Sequence, residues 1–264
     1  MSGFSPEWLR LREPADHRSR DRGLVERLAA HLEGRESIRL VDLGCGTGSN
    51  LRALSPALPG RQHWHLVDHD PALLSAARDE IAKWRPDASR EISFETADLS
   101  RDLEQVLAPE CDVVTAAALF DLVSEAWLKR FVAALANRAC AFYTVLIYDG
   151  IMQGDPVHPA DEPIRAAFNA HQRTDKGFGR AAGPDAGAFL VRTLEGAGFE
   201  VRTALSPWAL TRDDLPLILS TAEGIADAAR QTSLVAEAEI ADWLRSRAAL
   251  ASCKIGHVDV LALP

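Results

Sequence analysis

The stretch VDLGCGTGSN at residues 41–50 carries three glycines in five positions, directly after an apolar run. Gly44 can adopt a backbone conformation that a Cβ atom would strain, while Gly46 and Gly48 leave the backbone bare for a close approach. A helical pattern begins near Ser49, so the segment predicts a strand, a tight turn and a helix. The free N–H groups at the start of that helix favour an anionic ligand group.

Short apolar runs alternate with amphipathic stretches along most of the chain, which is typical of a mostly parallel sheet with helices on both faces. Strands are predicted at 38–44, 63–69, 91–97, 111–118, 140–148, 199–205 and 256–263. Helices are predicted at 49–58, 71–84, 100–108 and 124–138. Asp70 and Ser124 are the expected N-caps of the second and fourth of these helices. The prediction is therefore an α/β fold with a seven-stranded sheet.

One domain is predicted for residues 1–264, because 264 residues with 47% hydrophobic content can bury one substantial core. The predicted parts are an N-terminal helical cap at 1–36, a ligand-binding core at 37–148 and a substrate-side half at 149–264. Two insertions, at about 149–184 and 206–252, are longer than simple crossovers need. We expect them to determine substrate specificity, the first as an ordered insertion or as a mobile lid.

Charge and cysteine content argue against several classes of protein. The formal net charge of −9 gives no general attraction to nucleic acid or to an anionic membrane. The four cysteines form no CxxC pair, which indicates a reducing compartment and no metal site. The first residues lack a signal-peptide pattern, and no run reaches about 18 apolar residues. We therefore expect a cytoplasmic protein with neither nucleic acid, membrane nor metal as a partner.

The glycine turn matches the spacing GxGxG. No Gly-Lys-Ser/Thr follows it, which argues against a triphosphate loop, and the third glycine of the dinucleotide pattern GxGxxG is missing. With Asp42 two positions before Gly44, Gly46 and Gly48, the stretch resembles motif I of the class I S-adenosylmethionine-dependent methyltransferases. This resemblance implies a Rossmann-like fold and S-adenosylmethionine as the cofactor.

Later strand ends extend the resemblance over about residues 35–150. Asp68 ends the second predicted strand, where the family carries an acidic residue that binds both ribose hydroxyls, and a carboxylate suits a vicinal diol. His69 stands where the family places a side chain against adenine, and Asp98 where it places an acidic residue near the adenine amino group. The cofactor-binding residues that the resemblance implies are Asp42, Gly44, Cys45, Gly46, Gly48, Asn50, Asp68, His69, Ala97, Asp98, Thr115 and Ala116.

The candidates for catalysis are His171, Asp121 and Tyr148. A methyl donor that is already activated needs mainly an aligned acceptor, and a base matters only when the acceptor must lose a proton. Asp121 is either that base or a helix N-terminal residue, and Tyr148 either lies along the acceptor or covers the core. His171 and Asp175 either form a base with its orienting partner on one helix face or belong to a solvated helix end capped by Gly177.

The predicted substrate-binding residues are Asp149, Asn169, Gln172, Lys176 and Trp208. The first four are polar residues of the first insertion. Trp208 begins the second insertion, where it is either a pocket wall or a core residue.

The N-terminal stretch EWLRLREPADHRSR is similar to the helix that many members of the family fold over the cofactor. Arg12 or Arg20 in it either reaches the methionine carboxylate or belongs to a solvated helix face. Amphipathic helices at 222–231 and 238–250 cover the sheet or a partner subunit, so a homodimer stays open.

The expected function is methyl transfer to an O or N atom of a small molecule by in-line displacement. Two alternatives stay open at this point. The first is a regulatory protein that binds the cofactor without turnover, and the second is transfer of another group, such as aminopropyl, on the same fold.

Overall fold

The computed structural model describes residues 4–138 and 140–264. The helices in this part of the chain are α1 (Pro6–Ser19), α2 (Arg22–His31), α3 (Ser49–Leu54), α4 (Pro71–Trp84), α5 (Leu103–Val106), α6 (Glu125–Ala136), α7 (Asp161–Gln172), α8 (Ala186–Gly196), α9 (Leu215–Thr232) and α10 (Glu237–Ser246). The strands are β1 (Ser37–Leu43), β2 (Arg61–Asp68), β3 (Arg90–Thr96), β4 (Val113–Ala117), β5 (Ala141–Asp155), β6 (Glu200–Leu205), β7 (Trp208–Thr211) and β8 (Ser252–Leu263).

The sheet has the strand order β3-β2-β1-β4-β5-β8-β6. The first five strands of this order are parallel, and β8 runs antiparallel to both of its neighbours. The predicted seven-stranded, mostly parallel sheet is therefore confirmed. The sequence did not predict β7, a short eighth strand inside the second insertion that pairs with the first residues of β8.

The central strands are nearly continuous apolar runs because helices cover both faces of the sheet. On one face α5, α6 and α8 bury a cluster that includes Phe120, Phe131 and Leu190. On the other face α2, α3 and α4 bury a second cluster that includes Leu28 and Leu51. Burial of each such side chain stabilises the fold by about 1.5–3 kcal/mol, which holds the strand ends in place.

Two helices begin where the sequence predicts them. The side chain of Asp70 accepts a hydrogen bond from the backbone N–H of Ala72 at 2.8 Å, with Pro71 in the first turn of α4. The side chain of Ser124 accepts one from the N–H of Trp127 at the start of α6, at 3.2 Å. Both predicted N-caps are confirmed, and each satisfies a donor that a helix start leaves unpaired.

The two insertions form a separate layer. The first holds the continuation of β5 to Asp155, followed by α7, and the second holds β7, α9 and α10. A third apolar cluster joins these helices through Ile164, Ile225, Ile240 and Trp243. The insertions therefore pack on one another.

A buried carboxylate on β8 ties distant parts of the chain together. Asp259 is fully buried and accepts hydrogen bonds from the N–H of Leu146 at 3.0 Å, the N–H of Asp21 at 3.1 Å and the hydroxyl of Ser206. Burial raises the pKa of Asp259, while these donors stabilise its charged form. The start of α2, the bulged part of β5 and the end of β6 thus share one acceptor.

None of the helices in the described residues has both the length and the apolar content needed to span a bilayer. The same residues contain no group of three or more histidine, cysteine or acidic side chains arranged to hold a metal ion.

Candidate functional site

The glycine turn connects β1 to α3 at the carboxyl edge of the sheet. Gly44, Gly46 and Gly48 have φ angles of 64°, 53° and 77°, in the left-handed region that favours glycine. The N–H of Cys45 donates to the carbonyl of Val67 at 3.0 Å, which fixes the turn against the end of β2. The three glycines are therefore required by the backbone of the turn.

Asp68, the last residue of β2, organises this turn. The residue is 4% exposed, and its Oδ2 accepts the N–H of Gly46 at 2.9 Å. Its Oδ1 accepts the N–H of Asp70 at 3.0 Å and lies 3.3 Å from Nδ1 of His69. A carboxylate oxygen accepts up to two hydrogen bonds, so Oδ2 can accept one more from a ligand.

A buried polar network lies behind the turn. The amide nitrogen of Asn50 lies 2.6 Å from Oδ1 of Asp42 and 3.0 Å from Oγ1 of Thr115. Nη1 of Arg20 donates to Oδ1 of the same asparagine at 2.7 Å. Burial raises the pKa of Asp42 to about 7, against the effect of the Asn50 hydrogen bond. Asp42 thus binds the side chain of Asn50 in helix α3.

The ends of β3 and β4 complete this edge. The N–H of Ala97 donates to the carbonyl of Asp68 at 3.0 Å, and Ala116 is fully buried. Asp98 accepts the N–H and the hydroxyl of Ser100, which lower its pKa. The structure therefore gathers the residues implied by the resemblance along one edge of β1 to β4.

Helix α1 lies over the glycine turn. A Cβ atom at Gly46 would stand 3.0 Å from Cδ1 of Leu9. Glu13 accepts hydrogen bonds from Arg52 at 2.8 and 2.6 Å, and Arg52 also donates to the carbonyl of Thr47. The predicted cap over the turn is therefore a helix held there by packing and by an ion pair.

A cavity of about 780 Å³ lies beside the turn, between α1, α7, α9 and the ends of β4 and β5. Two elements connect it to the turn. Leu119, in the loop after β4, packs 3.5 Å from the Cβ position of Gly44, while Asp121 in the same loop lines the cavity. On α1, Leu9 covers the turn, whereas Trp8 lines the cavity. The volume is typical of a small-molecule site.

Two residues with left-handed backbones shape this part of the sheet edge. Ala118, after β4, has a φ of 51°, and Leu146, in the bulged part of β5, has a φ of 61°. Both residues line the cavity. Such conformations cost about 1–3 kcal/mol each and tend to occur at functional sites.

Asp121 is the buried carboxylate of the cavity. It is 6% exposed, and among the described residues its Oδ1 has no hydrogen-bond partner. Burial raises its pKa to about 6, while nearby backbone N–H groups and the charges of Arg12 and Lys176 oppose the shift. A carboxylate with this pKa is ionised at neutral pH and able to accept a proton.

His171 and Asp175 do not form the predicted pair. Helix α7 ends at Gln172, and Oδ1 of Asp175 accepts the N–H groups of Gly177 and Gly179 at 2.7 and 3.0 Å. Gly177 lies in the following loop, so the alternative of a helix C-cap at this glycine is also wrong. The ring of His171 lines the cavity and contacts Gln231.

Lys176 also lines the cavity, with Nζ 3.3 Å from Nδ1 of His171. Burial lowers the pKa of this lysine, and the charge of Asp121 opposes the shift. His171 is thus placed beside a lysine side chain.

Tyr148 belongs to the wall of the cavity. Its hydroxyl donates to Oδ1 of Asn169 at 2.8 Å, and burial raises its pKa well above the ordinary value. Asn169 itself is absent from the cavity lining within the described residues, and its side chain also donates to the carbonyl of Gly150. Tyr148 is therefore unsuited to act as a base, and Asn169 lies behind this tyrosine, outside the described cavity lining.

The other predicted substrate-binding residues divide in two. Gln172 and Trp208 line the cavity, and the indole N–H of Trp208 donates to Asp16 at 2.9 Å. Asp149 is absent from the described cavity wall, because its side chain packs against the backbone of Gly256 and accepts the N–H of Ile151. Trp208 therefore both lines the cavity and is buried, whereas Asp149 lies outside the described cavity wall.

Sequence reasoning missed His257. It is 6% exposed, lines the cavity, and its ring lies 5.4 Å from that of Trp208. Burial and the charge of Arg12 lower its pKa to about 3, so the imidazole is neutral. The sequence does carry a signal for this residue. His257 and Asp259 are the two polar residues of the stretch IGHVDVLAL at 255–263.

Residues 41–141 match a family model described as a methyltransferase domain. This range covers the glycine turn and the ends of β2, β3 and β4. This part of the chain is therefore similar to methyltransferase domains, which use S-adenosylmethionine as the cofactor. The chain matches no curated protein significantly.

Solved structures share the fold of the methyltransferase. A methyltransferase named as putative from Bacillus halodurans has 12% identity and a TM-score of 0.53, over 90% of this chain and 97% of that one. A cyclopropane synthase from Mycobacterium tuberculosis has 12% identity and a TM-score of 0.54, over 98% and 94%. A mycolic acid cyclopropane synthase complexed with SAH and CTAB has 13% identity and a TM-score of 0.52, over 97% and 94%. At this identity the likeness establishes the fold alone.

The residues around the glycine turn fit S-adenosylmethionine as the cofactor. The glycine turn leaves its backbone bare, and Asp68 offers a carboxylate with remaining acceptor capacity. In the described part of the chain, Nε and Nη2 of Arg20 and Oδ2 of Asp42 are buried without hydrogen-bond partners. Such unpaired groups are costly unless a ligand or water satisfies them, which indicates a polar ligand nearby.

Proposed function

We propose that the methyltransferase transfers the methyl group of S-adenosylmethionine to an O or N atom of a small molecule held in the 780 Å³ cavity. The observation that carries this proposal is the buried carboxylate of Asp121 in that cavity, on the loop that also packs against the glycine turn. A binding protein without turnover has no need for such a group, whose burial costs free energy.

The cofactor-side residues have the following proposed roles. Asp68 accepts hydrogen bonds from the ribose hydroxyls, His69 lies against adenine, and Asp98 lies near the adenine amino group. The glycine turn allows close contact with its backbone, while Asp42 and Asn50 stabilise the turn from behind. The remaining surroundings of the cofactor are apolar side chains and backbone, contributed by Cys45, Ala97, Thr115 and Ala116.

On the acceptor side, Asp121 takes the proton that the acceptor loses. Trp8 and Trp208 exclude water, and α1 closes the space over both ligands. The cofactor supplies an already activated methyl group, so alignment of the acceptor is the main contribution of the protein. The proposed organisation is thus a cap at 1–36, a cofactor-binding core at 37–148 and a substrate-side half at 149–264.

A calorimetric titration with S-adenosylhomocysteine, with NAD and ATP as controls, tests cofactor binding. Ligand at about 100 times its dissociation constant should add roughly 2.7 kcal/mol of stability. A screen of small-molecule acceptors with radiolabelled S-adenosylmethionine then tests methyl transfer, with Asp121→Asn as the inactive control. Binding without transfer to any acceptor would favour the regulatory alternative, and detection of an aminopropyl product would favour the other enzyme.

A further inference from the structure

We infer that the acceptor is an acidic hydroxyl group on a planar unsaturated ring, a phenol or an enol, which reacts at oxygen between Asp121, Arg12 and Lys176. This inference rests on the proposed methyl transfer and names its substrate class. Three features of the cavity carry it: the arrangement of its rings, the balance of its charges and its unpaired polar atoms.

The rings of the wall suit a planar ligand. Tyr148 and Phe168 meet edge to face at 5.4 Å and 75°, and Trp208 and His257 meet at 5.4 Å and 61°. Trp8 of α1 lines the same space. Steep angles between neighbouring rings present faces and edges alternately, and a flat unsaturated ring packs well against both.

The charges of the wall select among nucleophiles. Arg12 lies 5.0 Å from the ring centre of Trp208 and also binds Asp16, while Lys176 approaches from the loop after α7 and forms no ion pair within the described residues. An amine develops positive charge as it is methylated, which the charge of Lys176 disfavours, while Arg12 is already paired with Asp16. A carboxylate would be repelled by Asp121. An acidic hydroxyl avoids both penalties, because it enters neutral and reacts as an anion.

The remaining titratable groups on the wall do not alter this balance. Asp175 is held by backbone N–H groups, His257 is neutral, and His171 lies beside Lys176. In the described residues Nδ1 of His257 and Oγ1 of Thr221 are buried without partners. These are hydrogen-bonding groups suited to oxygen, whereas the sulfur of a thiol is a weak acceptor.

Proton transfer points the same way. Asp121 with its raised pKa can share a proton with a phenol, whose pKa is about 10, much better than with an aliphatic alcohol, which is far less acidic. The acceptor oxygen loses its proton to Asp121 and forms a bond to the methyl carbon. The S–CH₃ bond breaks with its electron pair left on sulfur, so charge and atoms balance.

The test uses umbelliferone, a bicyclic phenol whose fluorescence reports its ionisation, and the same coumarin ring carrying an amine, a carboxylate, a thiol or a hydroxymethyl group. A further panel of phenols with one to three rings extends the range of shapes. Affinities are measured without cofactor for the wild type, Lys176→Met and the control Lys83→Met, whose lysine pairs with Glu80 on the exposed face of α4. We expect a phenol to bind about tenfold more tightly than its amine or carboxylate analogue.

Lys176→Met should remove most of the preference for the phenol over the amine and leave the preference over the carboxylate, and Lys83→Met should keep both. With S-adenosylmethionine added, transfer should occur to phenolic oxygen and not to the alcohol. Transfer to an amine, carboxylate or thiol in preference to every phenol, or failure of all phenols to bind while S-adenosylhomocysteine binds, would overturn this inference and leave the proposed function intact. Failure to bind S-adenosylhomocysteine would instead overturn the proposed function.

Discussion

Replacement of Asp121 by asparagine should stabilise the protein at neutral pH. The carboxyl group has a folded-state pKa of about 6 against an ordinary value of 3.8, because burial penalises its charged form. A carboxyl whose folded pKa is raised destabilises the fold when it ionises, so the wild type loses stability as pH rises from about 4 through about 6. The difference of about two pKa units corresponds to up to about 3 kcal/mol above that window.

Urea denaturation followed by tryptophan fluorescence, between pH 4 and pH 8, measures this effect, since the chain has six tryptophans. The stability difference between Asp121→Asn and wild type should be small at pH 4, grow in favour of the variant up to about pH 6 and then stay constant. Asp70→Asn is the matched control, because asparagine is also a good N-cap for α4. This control should show no such rise.

The same variant should lose methyl transfer, so stability and activity would move in opposite directions. A variant that is no more stable than wild type at pH 7.5, or whose stability difference does not depend on pH, would show that ionised Asp121 does not destabilise the fold. The Asp121 carboxylate would then be satisfied in the folded state, and its assignment as a base held ready in the cavity would have to be withdrawn.

Three further variants test the glycine turn and the core. Asp68→Asn should weaken S-adenosylhomocysteine binding about ten- to a hundredfold in calorimetry, while Asp70→Asn should not; equal affinities would limit Asp68 to organising the turn. Gly46→Ala should lower the free energy of unfolding by about 1–2 kcal/mol in urea denaturation, because a left-handed backbone disfavours a Cβ atom, and adding Leu9→Ala should recover only the contact part. Asp259→Ala should cost about 3 kcal/mol or more in the same assay, since three donors lose their acceptor; a loss below 1 kcal/mol would contradict the network.

Much of the fold was predictable because burial on both faces turns the central strands into apolar runs. The glycine turn and the caps at Asp70 and Ser124 are local signals, which depend on a few neighbouring residues, and all were read correctly. The continuation of β5 to Asp155 was missed, because the stretch GIMQGD has no strand pattern and is held by pairing with β8. Strand β7 was missed for the same reason, since only its partner makes it a strand.

The acceptor side was less predictable because it depends on where distant segments meet. Asp121 was a candidate from its place after a strand, but the burial of its Oδ1 without a hydrogen-bond partner among the described residues is a property of the folded chain. His171 and Asp175 have helical spacing, yet the helix ends before Asp175, whose carboxylate binds backbone groups of the next loop. His257 enters the cavity wall from β8, more than eighty residues from α7.

The position of β8 between β5 and β6 has a consequence for how the protein is made. Residues 252–263 form β8 and are synthesised after β5 and β6. The long apolar edge of β5 therefore has no strand partner while the chain is still being made. Unpaired strand edges of this kind invite association with other chains. The start of α2 also lacks one of its hydrogen bonds at this stage, because the N–H of Asp21 donates to Asp259 of β8. We therefore expect nascent or truncated chains that lack β8 to depend on chaperones. In such chains the cofactor-binding edge of the sheet should stay incompletely folded, even where the glycine turn itself is complete.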